Sequence, residues 1–326
     1  MKIVIAEKMA PCAVQILKEE KGWTVITHEQ IHDGLANALP DADALIVRSA
    51  VAVNAAMLRQ AAKLQVIGRA GVGVDNIDLE AATKAGIAVI NTPGANAVAV
   101  AEHTLGLMLA LSRHIPRADC TTRAGKWEKK SLQGTELRGK VLGIVGLGKI
   151  GLEVAKRAQS FDMDVIAHDP FVSLSAASQP GIKLLPLDDV LTGSDYLSLH
   201  VSLTPQTVGM INETSLHKMK GGVRIINCAR GELIDEAALA RAIRSGHVAG
   251  AALDVFTEEP PRNSPLLGLD NVIVTPHIAG STYEAQDAVG VQIASQVREY
   301  LKHGIVLNAV NLPSARLEPS QAKMDG

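Results

Sequence analysis

The sequence predicts an α/β protein built from two doubly wound parallel-sheet domains. Short runs rich in Val, Ile and Ala alternate with helix-length segments along most of the chain, which is the pattern of repeated βα units. That alternation is interrupted once, by a long apolar helical segment, and then resumes. A length of 326 residues with 47% hydrophobic content gives room for two packed cores.

In chain order, strands are expected at residues 3–6, 23–27, 44–47, 66–68 and 88–90, separated by helical segments such as 13–20, 54–62 and 79–84. The opening run Met1-Lys2-Ile3-Val4-Ile5-Ala6 meets Glu7 and Lys8 too soon to be the apolar core of an export signal. Residues 96–114 read as one long helix, whose Val98, Leu105, Leu107, Met108 and Leu111 cover much of its circumference. Such a helix needs partners on several sides, another subunit among them. The alternation resumes at Val141 and continues through Val165, 196–201, 223–226, 250–253 and 272–274. A polar stretch leads into a last helix at 283–303 and a short run, 306–311, that would return to the N-terminal lobe. From Ser314 the chain is polar and aperiodic, and mobility is expected there.

Composition narrows the function. A net charge of −2, with both signs interspersed, marks no face for nucleic acid or an anionic membrane. An aromatic content of 2% leaves little for base stacking. The longest apolar stretch, 97–111, is too short for a bilayer and contains Glu102 and His103. Cys12, Cys120 and Cys228 are far apart, make no C-x-x-C motif and no even-numbered disulfide set, and point to a reducing compartment, the cytoplasm. No metal site is expected.

The most specific motif is Gly146-Leu147-Gly148-Lys149-Ile150-Gly151, which follows the apolar run 140–145 and opens a helical segment at 152–159. In that context it is a dinucleotide fingerprint: Gly146 permits the tight turn, Gly148 lets backbone N–H groups approach a pyrophosphate, and Gly151 lets helix and strand pack closely. A second strand, 163–168, ends in Asp169, where a carboxylate would accept hydrogen bonds from an adenosine ribose and repel a 2′-phosphate. NAD is therefore expected rather than NADP.

Three ionisable residues follow the fingerprint in loops after expected strands: Arg230 in Asn227-Cys228-Ala229-Arg230-Gly231, Glu259 before Pro260, and His277 after Pro276. Open α/β sheets bind ligands at that edge. A nicotinamide enzyme acting on a 2-hydroxy acid needs a cation for the carboxylate and a group that takes the hydroxyl proton. Arginine's planar fork suits the first task and histidine the second, with a carboxylate to steady the imidazole. Singly, each has a plain alternative: a satisfied loop histidine, a solvated Glu259 beside Glu258, an ordinary ion pair for Arg230. Cys228 reads as a small packing residue rather than a nucleophile.

Several runs together resemble the D-2-hydroxyacid dehydrogenases: Arg48-Ser49, Gly68 through Asn76, Asn91-Thr92-Pro93, the fingerprint, 227–231, Asp254-Val255-Phe256 with Glu259-Pro260, and Pro276-His277. The resemblance covers about residues 1–312, and it is nearest to the branch that oxidises D-3-phosphoglycerate to 3-phosphohydroxypyruvate, the first step of L-serine synthesis. It implies a Rossmann NAD domain, 95–284, inserted into a flavodoxin-like substrate domain made of 1–94 and 285–326. It implies that Arg230 binds and polarises substrate, that His277 exchanges the proton, and that Glu259 is its partner. For the cofactor it implies Lys149 and Ile150 at the pyrophosphate, Asp169 at the ribose, Asp254 at the nicotinamide amide, and Val201, Cys228, Ala229, Arg230, His277 and Gly280 around the rest. It also implies a homodimer or homotetramer, with the long helix at an interface. A phosphate on the substrate needs further cations, which Arg48 and Arg69 offer, beside Ser49 and Gly71, with Lys129 as an added charge. Where many members have proline this chain has Ser202, so the loop there is expected to differ. Two alternatives stay open: an enzyme for an unphosphorylated acid, such as a glyoxylate or hydroxypyruvate reductase, and a cofactor-gated binding protein like the C-terminal-binding corepressors.

Overall fold

The computed structural model describes residues 1–32, 34–172 and 181–311. The tail from Ser314, expected to be mobile, lies outside the described residues. The chain divides into two compact units: one contains Met1–Asn96 and resumes at Thr282, and the other is Ala97–Ser281.

The first unit is a five-stranded parallel sheet of β1 (Lys2–Ile5), β2 (Thr24–Ile26), β3 (Ala44–Val47), β4 (Val66–Arg69) and β5 (Ala88–Ile90), in the order β2-β1-β3-β4-β5. That is the flavodoxin-like order. Both faces are covered, as a parallel sheet requires. Side chains alternate: Ile3, Ile5, Ile46 and Val66 face helices Pro11–Lys18 and Tyr283–His303, while Val4, Leu45, Val47 and Ile67 face the side of Leu39, Leu58 and Ala82. The helix Tyr283–His303 begins where Thr282 accepts the Ala285 N–H through its side chain. Beyond it the run 306–311 returns to β5, with Ala309 bridging Ile90 antiparallel and Val310 donating its N–H to Val89.

The second unit is a seven-stranded parallel sheet of β6 (Val141–Val145), β7 (Asp164–His168), β8 (Ile182–Leu184), β9 (Tyr196–Leu199), β10 (Val223–Asn227), β11 (Val248–Leu253) and β12 (Val272–Val274). The order β12-β11-β10-β9-β6-β7-β8 reverses between β6 and β9, the switch point of a Rossmann sheet. One face buries Leu197, Leu199, Ile225 and Leu253 against Leu216, Leu239 and Ile243. The other buries Leu142, Ile144, Tyr196 and Ile226 against Val100, Met108 and Val154.

The helix Ala97–Ser112 is buried along most of its length, as its apolar circumference predicts. Its polar residues turn inward on the backbone: Thr104 Oγ donates to the Val100 carbonyl, and Ser112 Oγ to that of Met108. The helix Ile115–Arg123, whose side chains are all at least partly exposed, and the edge strand β8 are elements the sequence pattern does not reveal. No helix among the described residues is long and apolar enough to cross a membrane.

Candidate active site

The glycine turn is built by close approaches. Gly146 follows β6 with φ +96°, and a Cβ there would lie 2.5 Å from the His200 carbonyl oxygen. At Gly151 a Cβ would lie 2.1 Å from the Gly146 oxygen, so the helix can approach the turn only without one. Gly148 differs: it caps the helix Lys149–Gln159, and a Cβ there would meet nothing within 4 Å. The helix thus starts within the fingerprint, three residues before the sequence pattern suggests, because the extended Gly148 serves as its cap. The first N–H groups of a helix lack intrahelical partners, and together with the open space over Gly148 they fit a pyrophosphate. Lys149 and Ile150 occupy that first turn.

Asp169 follows β7 and is tied to this turn. Its Oδ2 accepts the Leu147 N–H at 2.8 Å and its Oδ1 the Phe171 N–H at 2.9 Å. A carboxylate offers about four lone-pair sites, so capacity for ribose hydroxyls remains. Val201 borders Gly146, its Cγ1 lying 2.9 Å from where a Cβ at 146 would be. The neighbouring His200 pairs through Nε2 with the Ser198 hydroxyl at 2.8 Å, and burial pushes its pKa down to about 4. At Ser202 the turn is held without proline: the Thr207 hydroxyl donates to the Ser202 carbonyl and accepts the Thr204 N–H.

β10, β11 and β12 lie side by side, with Asn227 opposite Leu253 and Leu253 opposite Val274. Three loops therefore leave adjacent strand ends. In the first, the buried Asn227 side chain accepts the Ala229 N–H and donates to the Arg230 carbonyl, closing the turn that presents Arg230. The Arg230 guanidinium donates to the Ala229 carbonyl at 2.6 Å. Cys228 is buried, and burial, with Asp254 adding to it and a Thr104 hydrogen bond opposing, pushes its thiol up to about 12. It stays protonated at neutral pH and packs rather than attacks.

In the third loop His277 adopts a left-handed backbone, φ +53°, sparsely populated by residues other than glycine. Asp254, at the end of β11, holds it there: its carbonyl accepts the His277 N–H, its Oδ1 the Ile278 N–H, and its Oδ2 the Ala279 N–H. Thr275 Oγ donates to the same carboxylate at 2.5 Å, and His103 Nε2 lies 3.5 Å from it. Burial opposes the Asp254 charge, but His103, the Thr275 hydroxyl and the two N–H groups outweigh it, and the pKa falls below the usual carboxylate value. The Asp254 side chain has no exposed surface, so its oxygens face this loop. Gly280 continues the same loop.

His277 Nδ1 lies 2.8 Å from Glu259 Oε2. The carboxylate only accepts, so Nδ1 carries the hydrogen and Nε2 is left to exchange a proton. Glu259 is itself steadied, its Oε1 accepting the Phe256 N–H. Both side chains are nearly half exposed, 48% and 40%, which keeps them accessible to a ligand. Asn227, Thr275 and His103 are supporting residues the sequence reading did not single out. The signal available for His103 was a polar residue in an otherwise apolar helix, and for Asn227 a polar residue ending a buried strand.

In the first unit, Arg48 follows β3 and Arg69 ends β4, and Val47 pairs with Arg69 in the ladder. Two arginines thus leave adjacent strand ends, with Ser49 beside the first. The Arg69 guanidinium folds over Gly71, 1.4 Å from where a Cβ would be, and donates to the Ala70 carbonyl. Lys129 belongs to the other unit and stands exposed in the segment after Ile115–Arg123.

Comparison with known families matches residues 105–279 to the D-isomer specific 2-hydroxyacid dehydrogenase, NAD binding domain. The chain is 48% identical over 321 residues to a D-3-phosphoglycerate dehydrogenase of Archaeoglobus fulgidus, covering 98% of this chain and 60% of that protein. It is 47% identical over 311 residues to the D-3-phosphoglycerate dehydrogenase of Homo sapiens, covering 95% and 58%. The chain therefore spans somewhat under two thirds of the length of these curated relatives. A solved glyoxylate reductase from Paecilomyes thermophila superposes with a TM-score of 0.85 at 32% identity, covering 95% of this chain and 98% of that one. With a Rossmann sheet, a glycine turn and an acid wired to it, the chain belongs to the D-isomer specific 2-hydroxyacid dehydrogenase family and carries its NAD-binding domain.

Proposed function

We propose that this chain carries an NAD-dependent dehydrogenase that oxidises D-3-phosphoglycerate to 3-phosphohydroxypyruvate, the reaction that opens L-serine synthesis. The observation that carries the chemistry is the 2.8 Å pair between His277 Nδ1 and Glu259 Oε2 at the carboxyl edge of the Rossmann sheet. The chemistry NAD supplies when bound is acceptance of the hydride from C2 of the substrate. His277 takes the hydroxyl proton on Nε2, and Glu259 stabilises the imidazolium that results. Arg230 holds the substrate carboxylate and polarises the reacting oxygen. Asp254 acts by fixing the loop that carries His277 and Gly280, while Val201, Cys228 and Ala229 line the cofactor site through backbone and packing.

Arg48 and Arg69, with Ser49, Gly71 and Lys129, are assigned to the substrate and its phosphate. The names of the relatives at 47–48% identity support that choice. The similarity to a glyoxylate reductase favours the second reading, an unphosphorylated 2-oxo acid handled by the same three catalytic residues. We assign Ala97–Ser281 to the cofactor and the other unit to the substrate. A second copy of the chain is expected to cover the exposed Val98, Ile115 and Trp127, and the three unpaired cysteines suit a reducing compartment such as the cytoplasm.

Initial rates of NADH formation with 3-phosphoglycerate, D-lactate and D-glycerate, and of NADH consumption with hydroxypyruvate and glyoxylate, test this. Preference for 3-phosphoglycerate supports the reading. Preference for an unphosphorylated acid reassigns the arginines, and NAD binding without turnover would instead indicate a cofactor-gated binding protein.

A further inference from the structure

Glu7, directly after β1 and Ala6, occupies the turn that follows the neighbouring strand β3. Its Oε2 accepts the N–H groups of Arg48 at 2.6 Å and Val51 at 3.3 Å, and its Oε1 accepts that of Ala50 at 3.0 Å. β1 and β3 are paired with Ile5 opposite Ile46, which brings the two strand ends level. The next residue, Lys8, accepts a hydrogen bond from Arg48 Nη1 at 3.3 Å through its carbonyl. From the other side, Asn76 Nδ2 donates to the carbonyls of Arg48 at 2.9 Å and Val51 at 2.6 Å.

Three backbone donors thus converge on one carboxylate, the arrangement in which a charged acceptor is strongest. A neutral amide would offer one acceptor oxygen and turn an NH2 group toward an N–H. The same N–H groups offset the Glu7 charge close to a loop assigned to an anionic substrate. Glu7 has no further role in the sheet: it lies past the last paired residue of β1.

We propose that Glu7 is a positioning residue: by fixing the 48–51 turn it sets the placement of Arg48 and Ser49 and so the affinity for substrate, without touching substrate itself. This rests on the assignment of Arg48 to the substrate.

The test compares Glu7→Gln and Glu7→Asp with the parent enzyme and with Arg48→Ala. It uses steady-state kinetics on 3-phosphoglycerate and NAD, together with hydrogen exchange of the 48–51 amides. Glu7→Gln should speed exchange of those amides and raise KM for 3-phosphoglycerate by about three- to tenfold, the scale of one net hydrogen bond, since Glu7 acts on substrate only through the turn. Values of kcat and KM for NAD should stay near parent. Glu7→Asp should recover part of the effect, and Glu7→Gln on top of Arg48→Ala should add little. Unchanged exchange in both Glu7 variants overturns the proposal, and so does faster exchange with unchanged KM when Arg48→Ala raises KM. If Arg48→Ala itself leaves KM unchanged, the substrate assignment of Arg48 fails and takes this role for Glu7 with it, which the exchange result separates from a failure of the clamp. Should Glu7→Gln not fold, Glu7→Asp carries both measurements.

Discussion

Asp169 accepts the backbone N–H of Leu147 at 2.8 Å, so the acid assigned to the ribose is fastened to the centre of the glycine turn assigned to the pyrophosphate. One hydrogen bond thus joins the two parts of the proposed cofactor site. Asp169→Asn keeps the size but removes the charge that repels a 2′-phosphate. The ratio of kcat/KM for NAD over NADP should narrow by about ten- to a hundredfold, the worth of charged hydrogen bonds. A ratio that stays put would remove Asp169 from the ribose.

Replacing His277 by Ala should lower kcat by roughly two to four orders of magnitude, the usual scale of acid–base catalysis. NAD affinity, read by fluorescence titration, should change little, because the loop is held by Asp254 through backbone N–H groups rather than through the imidazole. Near-parent turnover would refute the assignment.

Gly148 and Gly151 should separate binding from stability. A methyl group at 148 meets nothing within 4 Å of protein, so Gly148→Ala should cost only the poorer helix cap, about 0.5–1 kcal/mol of stability, while weakening NAD by at least about tenfold, or 1.4 kcal/mol. At 151 the same methyl lies 2.1 Å from a backbone oxygen, so Gly151→Ala should lose about 1–3 kcal/mol of stability before any ligand is added. Calorimetry of both variants, with and without NAD, checks the contrast.

The His200 imidazole gives a pH signature. Its pKa falls from an ordinary 6.5 to about 4 in the folded chain, so between those values the unfolded chain binds the proton more readily. Stability is full above about pH 6.5 and is lost as pH falls toward 4, by on the order of 2–3 kcal/mol at the lower end. His200→Asn should flatten the stability curve across that window in urea titrations. An unchanged slope would mean the ring is protonated in the native state.

Much of the fold was legible because both sheets are buried on both faces and spell out unbroken apolar runs, such as Ala44–Val47 and Val141–Val145. The last helix was legible as the helix-length segment 283–303 between the polar stretch after Thr275 and the short run 306–311. β8 was not: it is a three-residue edge strand with Lys183 at its centre, and it presents no pattern. Nor was the helix Ile115–Arg123, which buries no side chain fully and so shows no apolar stripe. In the site, Glu259 was expected as the partner of His277 from chemistry and from the family resemblance, and the fold brings the two side chains to 2.8 Å. Glu7 and Asn227 escaped notice because they act on backbone groups of turns, a role that leaves no spacing in the sequence.

One feature of the first unit reaches into the synthesis of the protein. The face of its sheet formed by Ile3, Ile5, Ile46 and Val66 is covered by Val289, Ile293 and Val297 of the last helix, and a Cβ at Gly68 would lie only 2.8 Å from Val297. The strands leave the ribosome first, but their cover leaves it after the whole of Ala97–Ser281. The N-terminal sheet must therefore wait, with this apolar face covered only in part by the helix Pro11–Lys18, while the middle of the chain is made and can fold on local contacts of its own. A chain stopped short of Tyr283 would lack Val289, Ile293 and Val297 and leave part of this apolar face exposed, a surface prone to aggregation.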